Sequence, residues 1–263
     1  MKLLKRVIVA VIFIPILLAI FYKGGIALFS LLAMIVFLQN YEIRNMFLNK
    51  EIKIPLIFFP LSLFVFSCAI IGSFLTILMS LLVVIFFIMG IDLFKNRLDD
   101  AVMRISAAMF ALIYTSLFLS TVYHIHNLPK GRFLIVLLVV LIWITDTFAY
   151  FTGILIGKHR RIFKASPNKS LEGFIAGFIF ALVFAYFATL IVNINLKIAF
   201  AAAVSAGIFG QLGDLFESVL KRDFQVKDSS NILPGHGGIL DRFDSILIAA
   251  PVYYLILKLV IFR

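Results

Sequence analysis

From Ile54 to Ile91 the chain carries no charged residue. Thirty-eight uncharged, mostly apolar residues are too greasy to face water. They are also too long for one membrane crossing, since a helix spans the hydrocarbon layer in about 20 residues. Inside lipid the backbone must satisfy its own N–H and C=O groups, which a helix does. The run therefore divides, at Gly72-Ser73, into two membrane helices.

The rest of the chain follows the same rule. Of its 263 residues 63% are hydrophobic and the mean hydropathy is +1.13, against about 45–50% apolar in soluble domains. Further apolar runs cover Val7–Tyr22, Gly25–Leu38 continuing amphipathically to Phe47, Met103–Val122, Phe133–Ile156, Leu171–Val192, Ile198–Leu220 and Ile239–Ile261. The first is read as a retained helix rather than a cleaved leader, because Ile20-Phe21-Tyr22-Lys23 is a poor cleavage site. The expectation is an all-α polytopic membrane protein of about nine transmembrane helices. Residues 1–130 form a motif-free scaffold of about five helices, and residues 131–263 a catalytic region of about four.

Charge sets the orientation. With the N-terminus inside, eighteen Lys and Arg fall on the inner side and six on the outer, as the positive-inside rule asks. All thirteen carboxylates then lie on or toward the inside. The expected location is the cell membrane, with the polar loops facing the cytoplasm. The net charge of +11 suits anionic lipid surfaces. No basic–aromatic pattern points to nucleic acid. The single Cys68 excludes an internal disulfide and a cysteine zinc site. His124 and His126 have metal-ligand spacing without a nearby carboxylate, and read as an interfacial loop.

One polar island stands out. Residues 214–245 hold six of the thirteen carboxylates. Asp214 and Glu217 are three apart and share a helical face, and Asp241 and Asp244 repeat the spacing. Two such pairs on neighbouring helices bring up to four carboxylates around one point, a cluster that calls for a cation. Between them lie Lys221, Arg222 and Lys227, suited to phosphate oxygens, and the turn Pro234-Gly235-His236-Gly237-Gly238, where glycines admit a close ligand. Hard-metal ligands, cations and a glycine turn together read as a nucleotide or polyphosphate site. On spacing alone, a charged loop of a transporter also fits.

A second cluster precedes it. Asp146 sits inside an apolar helix, four residues before Tyr150. An ionised Asp in a membrane costs about 2.5–3.5 kcal/mol on insertion scales, which marks it as functional by default. The competing role is structural, with Thr145 or Thr147 satisfying it. The loop after it runs Gly157-Lys158-His159-Arg160-Arg161 to Ser166-Pro167-Asn168-Lys169-Ser170-Leu171-Glu172-Gly173. Ser166-Pro167 looks like a turn and helix start, which puts Lys169 in the first turn near free N–H groups, a phosphate-binding arrangement.

These residues carry a resemblance. Ser218, Lys221, Arg222, Lys227, Asp228, Ser230, Leu233, Pro234, His236, Gly237, Gly238, Asp241, Arg242 and Asp244 fall at the fixed positions of the phosphatidate cytidylyltransferase (CDP-diacylglycerol synthase) signature. Trp143-x-x-Asp146-Thr147 and Ser166-Pro167-x-Lys169-Ser170-x-Glu172-Gly173 are similar to the same family, though the second motif also resembles CTP-using polyprenol and phytol kinases. The resemblance implies transfer of CMP from CTP to phosphatidate, giving CDP-diacylglycerol and pyrophosphate, by a homodimer in the lipid bilayer. It implies Mg2+ on Asp214 and Asp241, with Glu217 and Asp244 as further ligands, and allows a second cation such as K+. Asp146, Lys169, Lys227, Asp241 and Asp244 are the catalytic candidates. Ser166, Lys169, Ser170, Ser218, Lys221, Arg222, Lys227, His236, Gly237, Gly238 and Arg242 are the substrate-binding candidates. A CTP-dependent lipid kinase would release CDP in place of pyrophosphate, and a transporter would show ion flux without nucleotide.

Overall fold

The computed structural model describes residues 2–233 and 237–261. Pro234, Gly235 and His236 lie outside them. The described residues form nine helical rods and no strand. α1 is Lys2–Lys23, α2 Gly25–Leu48, α3 Phe58–Ile71 and α4 Phe74–Phe94. α5 is Ala101–His126, α6 Gly131–Ile156, α7 Leu171–Val192 and α8 Leu196–Asp223. α9 is Leu240–Ile256, prolonged by a π-helical turn at Leu257–Ile261. Six of them, α2 and α4 to α8, are long and apolar enough to cross a membrane. The 54–91 run breaks where its Gly-Ser pair predicts. α3 ends at Ile71, and the Ser73 hydroxyl caps α4 by accepting the Thr76 N–H at 3.4 Å, while Thr76 returns a bond to the Ser73 N–H.

Helices in lipid gain nothing from hiding apolar surface from one another, so close contact comes from small residues. α7 shows this directly. Its buried positions are Gly173, Gly177, Ala181 and Ala185, one every four residues. That ridge lies along α6 and α8: a Cβ on Gly177 would sit 2.9 Å from the Thr145 carbonyl oxygen, and a Cβ on Gly207 of α8 would lie 3.2 Å from the Ala181 Cβ. The outer face of α7 is Ile, Phe and Tyr, exposed as lipid-facing residues are. Gly213 does the same between α8 and α9, where a Cβ would meet the Asp244 carbonyl oxygen at 2.6 Å.

Two helices change pitch midway. α5 contains a π-helical stretch at Leu112–Leu117 and α8 another at Ser205–Gly210. Such turns carry one more residue than an α turn and gather at functional positions. The second one immediately precedes Gln211 and Asp214. α2, α5, α6, α8 and α9 surround the core, with α1 against α6. His124 and His126 lie in the last turn of α5 rather than in a loop, their Nε2 atoms 2.8 Å from the Ala69 carbonyl oxygen and 3.5 Å from the Tyr22 carbonyl oxygen.

Candidate active site

The loop after α6 is built from local contacts. The Arg160 guanidinium donates to the carbonyls of Gly153 (2.6 Å) and Gly157 (3.1 Å), which closes the end of α6. The Glu172 carboxylate reaches back to the His159 N–H at 3.1 Å and ring Nδ1 at 2.6 Å. α7 starts later than Ser166-Pro167 implies. Ser170 is the cap, its hydroxyl accepting the Gly173 N–H at 3.1 Å. Residues 163–169 instead form tight turns, in which the Ser166 N–H donates to Phe163 O and the Lys169 N–H to Ser166 O. Lys169 therefore stands just before the helix rather than in its first turn. Its ammonium crosses to α8 and donates to Asp214 at 2.6 Å.

The α8–α9 turn is built from distant contacts. Lys221 bridges two helices, 2.6 Å from Glu217 on its own and 2.6 Å from Asp241 on α9. The other Asp241 oxygen accepts the N–H groups of Ser229 (3.0 Å) and Gly238 (2.8 Å) and the Ser229 hydroxyl (3.0 Å). Hydrogen bonds to a charged acceptor contribute about 1.5–3 kcal/mol each, so Asp241 holds the turn as well as facing the cavity. Gly237 adopts φ +83°, and a Cβ there would lie 2.9 Å from the Asp241 carboxylate. Only glycine meets both conditions without strain.

The two parts enclose a cavity of about 520 Å³. Asp146 and Tyr150 from α6, Lys169 and Ser170 from the loop, Gln211 and Asp214 from α8, and Asp241, Arg242 and Asp244 from α9 line it, with Arg160 at its rim. A second cavity, about 550 Å³, lies between α1, α6 and α9. Its walls are apolar: Phe13, Leu17, Phe21, Val139, Trp143 and Ile246 among others. Asp146, Arg242 and Asp244 line both cavities. Thr145 and Thr147, which the structural reading of Asp146 invoked, donate instead to the carbonyls of Leu141 and Trp143 in their own helix.

Other candidates stand back from this space. Glu217 is fully buried behind Lys221, with its Oε1 unpartnered among the described residues. Ser218 lies 3.5 Å from Asp214. Arg222 joins the two loops through the carbonyls of Ala165 and Val226, each at 3.3 Å. Ser166 is half-buried and Lys227 exposed, both outside the cavity lining. The single ring of four carboxylates drawn from the spacing does not form. Lysine ammoniums stand between the acids, and among the described residues no three His, Cys, Asp or Glu side chains converge to cage a metal.

Sequence reasoning missed Glu42, Gln211 and the brace by Arg160. Gln211 donates to Phe174 O at 3.0 Å and to Gly207 O at 2.5 Å, which ties α8 to α7 beside the cavity. Glu42, fully buried on α2, accepts hydrogen bonds from Ser229, Ser230, Ile239 and Leu240. The signal that singled out Asp146, an acid in an apolar helix, was available for Glu42 too.

A cavity lined by carboxylates, a lysine and arginines, sharing residues with an apolar cavity in a helical membrane protein, fits a class: a membrane enzyme acting between a polyanion and a lipid. The chain matches the Cytidylyltransferase family over residues 4–260, and it belongs to that family. Its relatives include proteins named phosphatidate cytidylyltransferase from Staphylococcus haemolyticus, 37% identical over 263 residues, and Staphylococcus saprophyticus, 35% identical over 260, each alignment covering 97% of both chains. The Bacillus subtilis protein of that name is 45% identical over 152 residues, 57% of this chain and 56% of that one.

Proposed function

We propose that the protein is a phosphatidate cytidylyltransferase: it transfers CMP from CTP to phosphatidate, giving CDP-diacylglycerol and pyrophosphate. The observation that carries this reading is the shared wall. Asp146, Arg242 and Asp244 belong to both the polar and the apolar cavity, so a lipid phosphate can meet a nucleotide while its acyl chains stay among Phe13, Leu17 and Trp143. The phosphate oxygen of phosphatidate attacks the α-phosphorus of CTP, the α–β bridge breaks, and pyrophosphate leaves. The nucleophile is already anionic, so the reaction needs no strong base. The obstacle is bringing two polyanions together.

Lys169 and Arg242 stand on the cavity wall and neutralise phosphate oxygens there. Arg160 sits at its rim, and Arg222 and Lys227 extend the basic surface outward. Asp146, Asp214, Asp241 and Asp244 give a set of hard oxygen donors lining one cavity. That set fits Mg2+, which binds through one or two carboxylates plus substrate phosphates and keeps several waters rather than requiring a protein cage. When bound, Mg2+ would polarise the α-phosphate and stabilise the departing pyrophosphate; Asp214 and Asp241 would hold it, with Glu217, Asp244 or a second cation such as K+ beside them. The same reading makes the enzyme a homodimer whose polar cavity faces the cytoplasm, where the basic loops fall under the positive-inside rule.

Detergent-purified protein given CTP, phosphatidate and Mg2+ should release pyrophosphate and form a CMP-bearing lipid, and omitting any one of the three should stop both. Release of CDP with phosphorylation of a lipid alcohol would replace the reading with a kinase. Turnover unchanged by EDTA would remove the metal assignment.

A further inference from the structure

α9 carries Asp241, Arg242 and Asp244 but begins without a cap of its own. Its first residue is preceded by Ile239, whose side chain accepts nothing and whose backbone is already helical at φ −70°, ψ −37°. The opening N–H groups of a helix need acceptors from elsewhere. Here they come from α2. Glu42 Oε1 accepts the Ile239 N–H at 2.8 Å, and Oε2 accepts the Leu240 N–H at 2.7 Å. The same two oxygens accept the hydroxyls of Ser230 at 2.6 Å and Ser229 at 3.0 Å. Four donors and the positive end of α9 meet the charge of a residue with no exposed surface.

The contact bears on the cavity through geometry. Asp241 follows Leu240 directly, so what holds Leu240 sets the turn of α9 about its axis and the direction of the next five side chains. The Ser229 hydroxyl lies 3.0 Å from both Glu42 and Asp241; its one proton serves one carboxylate at a time and links them. Gly238 sits so close that a Cβ would lie 1.9 Å from the Ser229 oxygen and 2.6 Å from Glu42 Oε1. The turn is therefore moulded around this carboxylate.

We infer that Glu42 is a positioning residue for CMP transfer: it caps α9 from another helix and so aims Asp241, Arg242 and Asp244 at the cavity. This rests on the nucleotidyl-transfer reading above, and it gives the N-terminal part of the chain a share in the chemistry.

The test compares wild type, Glu42→Gln and Glu42→Asp in detergent, by thermal unfolding, by kcat and KM for CTP, and by hydrogen exchange of the amides. Gln presents an amide NH2 where Ser229 and Leu240 need an acceptor. Asp keeps both oxygens, one methylene short. The expected result is a loss of about 10- to 100-fold in kcat for Glu42→Gln, a smaller loss for Glu42→Asp, and a KM for CTP within about threefold of wild type. Amides 238–241 should exchange faster in Glu42→Gln while those of 157–170 stay protected. Wild-type kcat in folded Glu42→Gln, or equal losses in both variants that track only their thermal stability, would overturn the inference. Should Glu42→Gln fail to fold, Ser230→Ala removes one of the four donors and keeps the charge; it should lower kcat several-fold, about 2- to 5-fold, and an unchanged kcat overturns the proposal. If the wild type itself forms no CMP-lipid, the reaction assigned above is what fails. The exchange experiment still decides the cap, and unchanged protection at 238–241 refutes it.

Discussion

The two walls of the cavity are held by opposite means. On the α6–α7 side, the braces that shape the loop itself are short in sequence, Arg160 to Gly153 and Gly157, Ser170 to Gly173 and Glu172 to His159, and α8 is tied on from outside through Lys169, Ala165 and Phe174. On the α8–α9 side the braces are long: Lys221 to Asp241, Ser229 to Glu42, Glu42 to Leu240. A locally braced wall forms with its helices. A wall braced at long range forms only when α2, α8 and α9 have assembled, so its geometry reports on the whole bundle.

The comparison predicts where substitutions hurt most. Asp241→Asn strikes the long-range wall, because an amide keeps one acceptor oxygen where Lys221, Ser229 and Gly238 need two. CMP-lipid formation should fall about 10²- to 10³-fold, measured on protein that still elutes as a single folded species. If the loss is only a few-fold, Asp241 is a brace and not part of the reaction. Gly177→Val strikes the α6–α7 ridge, with its Cβ 2.9 Å from a backbone oxygen. The helices must separate, which should cost about 1–3 kcal/mol and lower the melting temperature in detergent. An unchanged melting temperature would mean the ridge is looser than drawn. Glu172→Gln tests the local wall at its surface. The His159 ring is largely exposed, so the expected outcome is an unchanged melting temperature, with little change in kcat. A large loss would show that this side also depends on a distant partner.

The same contrast explains what could be read in the sequence. Helix positions were legible because apolar runs and breaks such as Gly72-Ser73 are local signals. So was the gathering of Asp214, Asp241 and Asp244, which one-face spacing suggests, while Asp146 and Lys169 join them through the family resemblance. The apolar run gives α7 its observed bounds, Leu171–Val192, but the Ser166-Pro167 signal points to an earlier start, because Ser166 and Ser170 are both good caps and only the turn at 163–169 decides between them. The ring of four acids failed because spacing along a helix says nothing about which lysine stands between two carboxylates. Glu42 carries a visible signal, an acid in an apolar helix, but its role is not legible: its partners are 187 to 198 residues away, and no periodicity links α2 to the backbone it holds.

The π-helical stretch at Ser205–Gly210 bears on how this helix tolerates change in length. A residue lost from that stretch can be absorbed by tightening to an ordinary α turn, leaving everything downstream facing as before. A residue lost a few positions later, at 211–213, has no such slack, and swings Asp214 by about 100°, away from Lys169. Two deletions of equal size, separated by a single turn, thus have opposite fates.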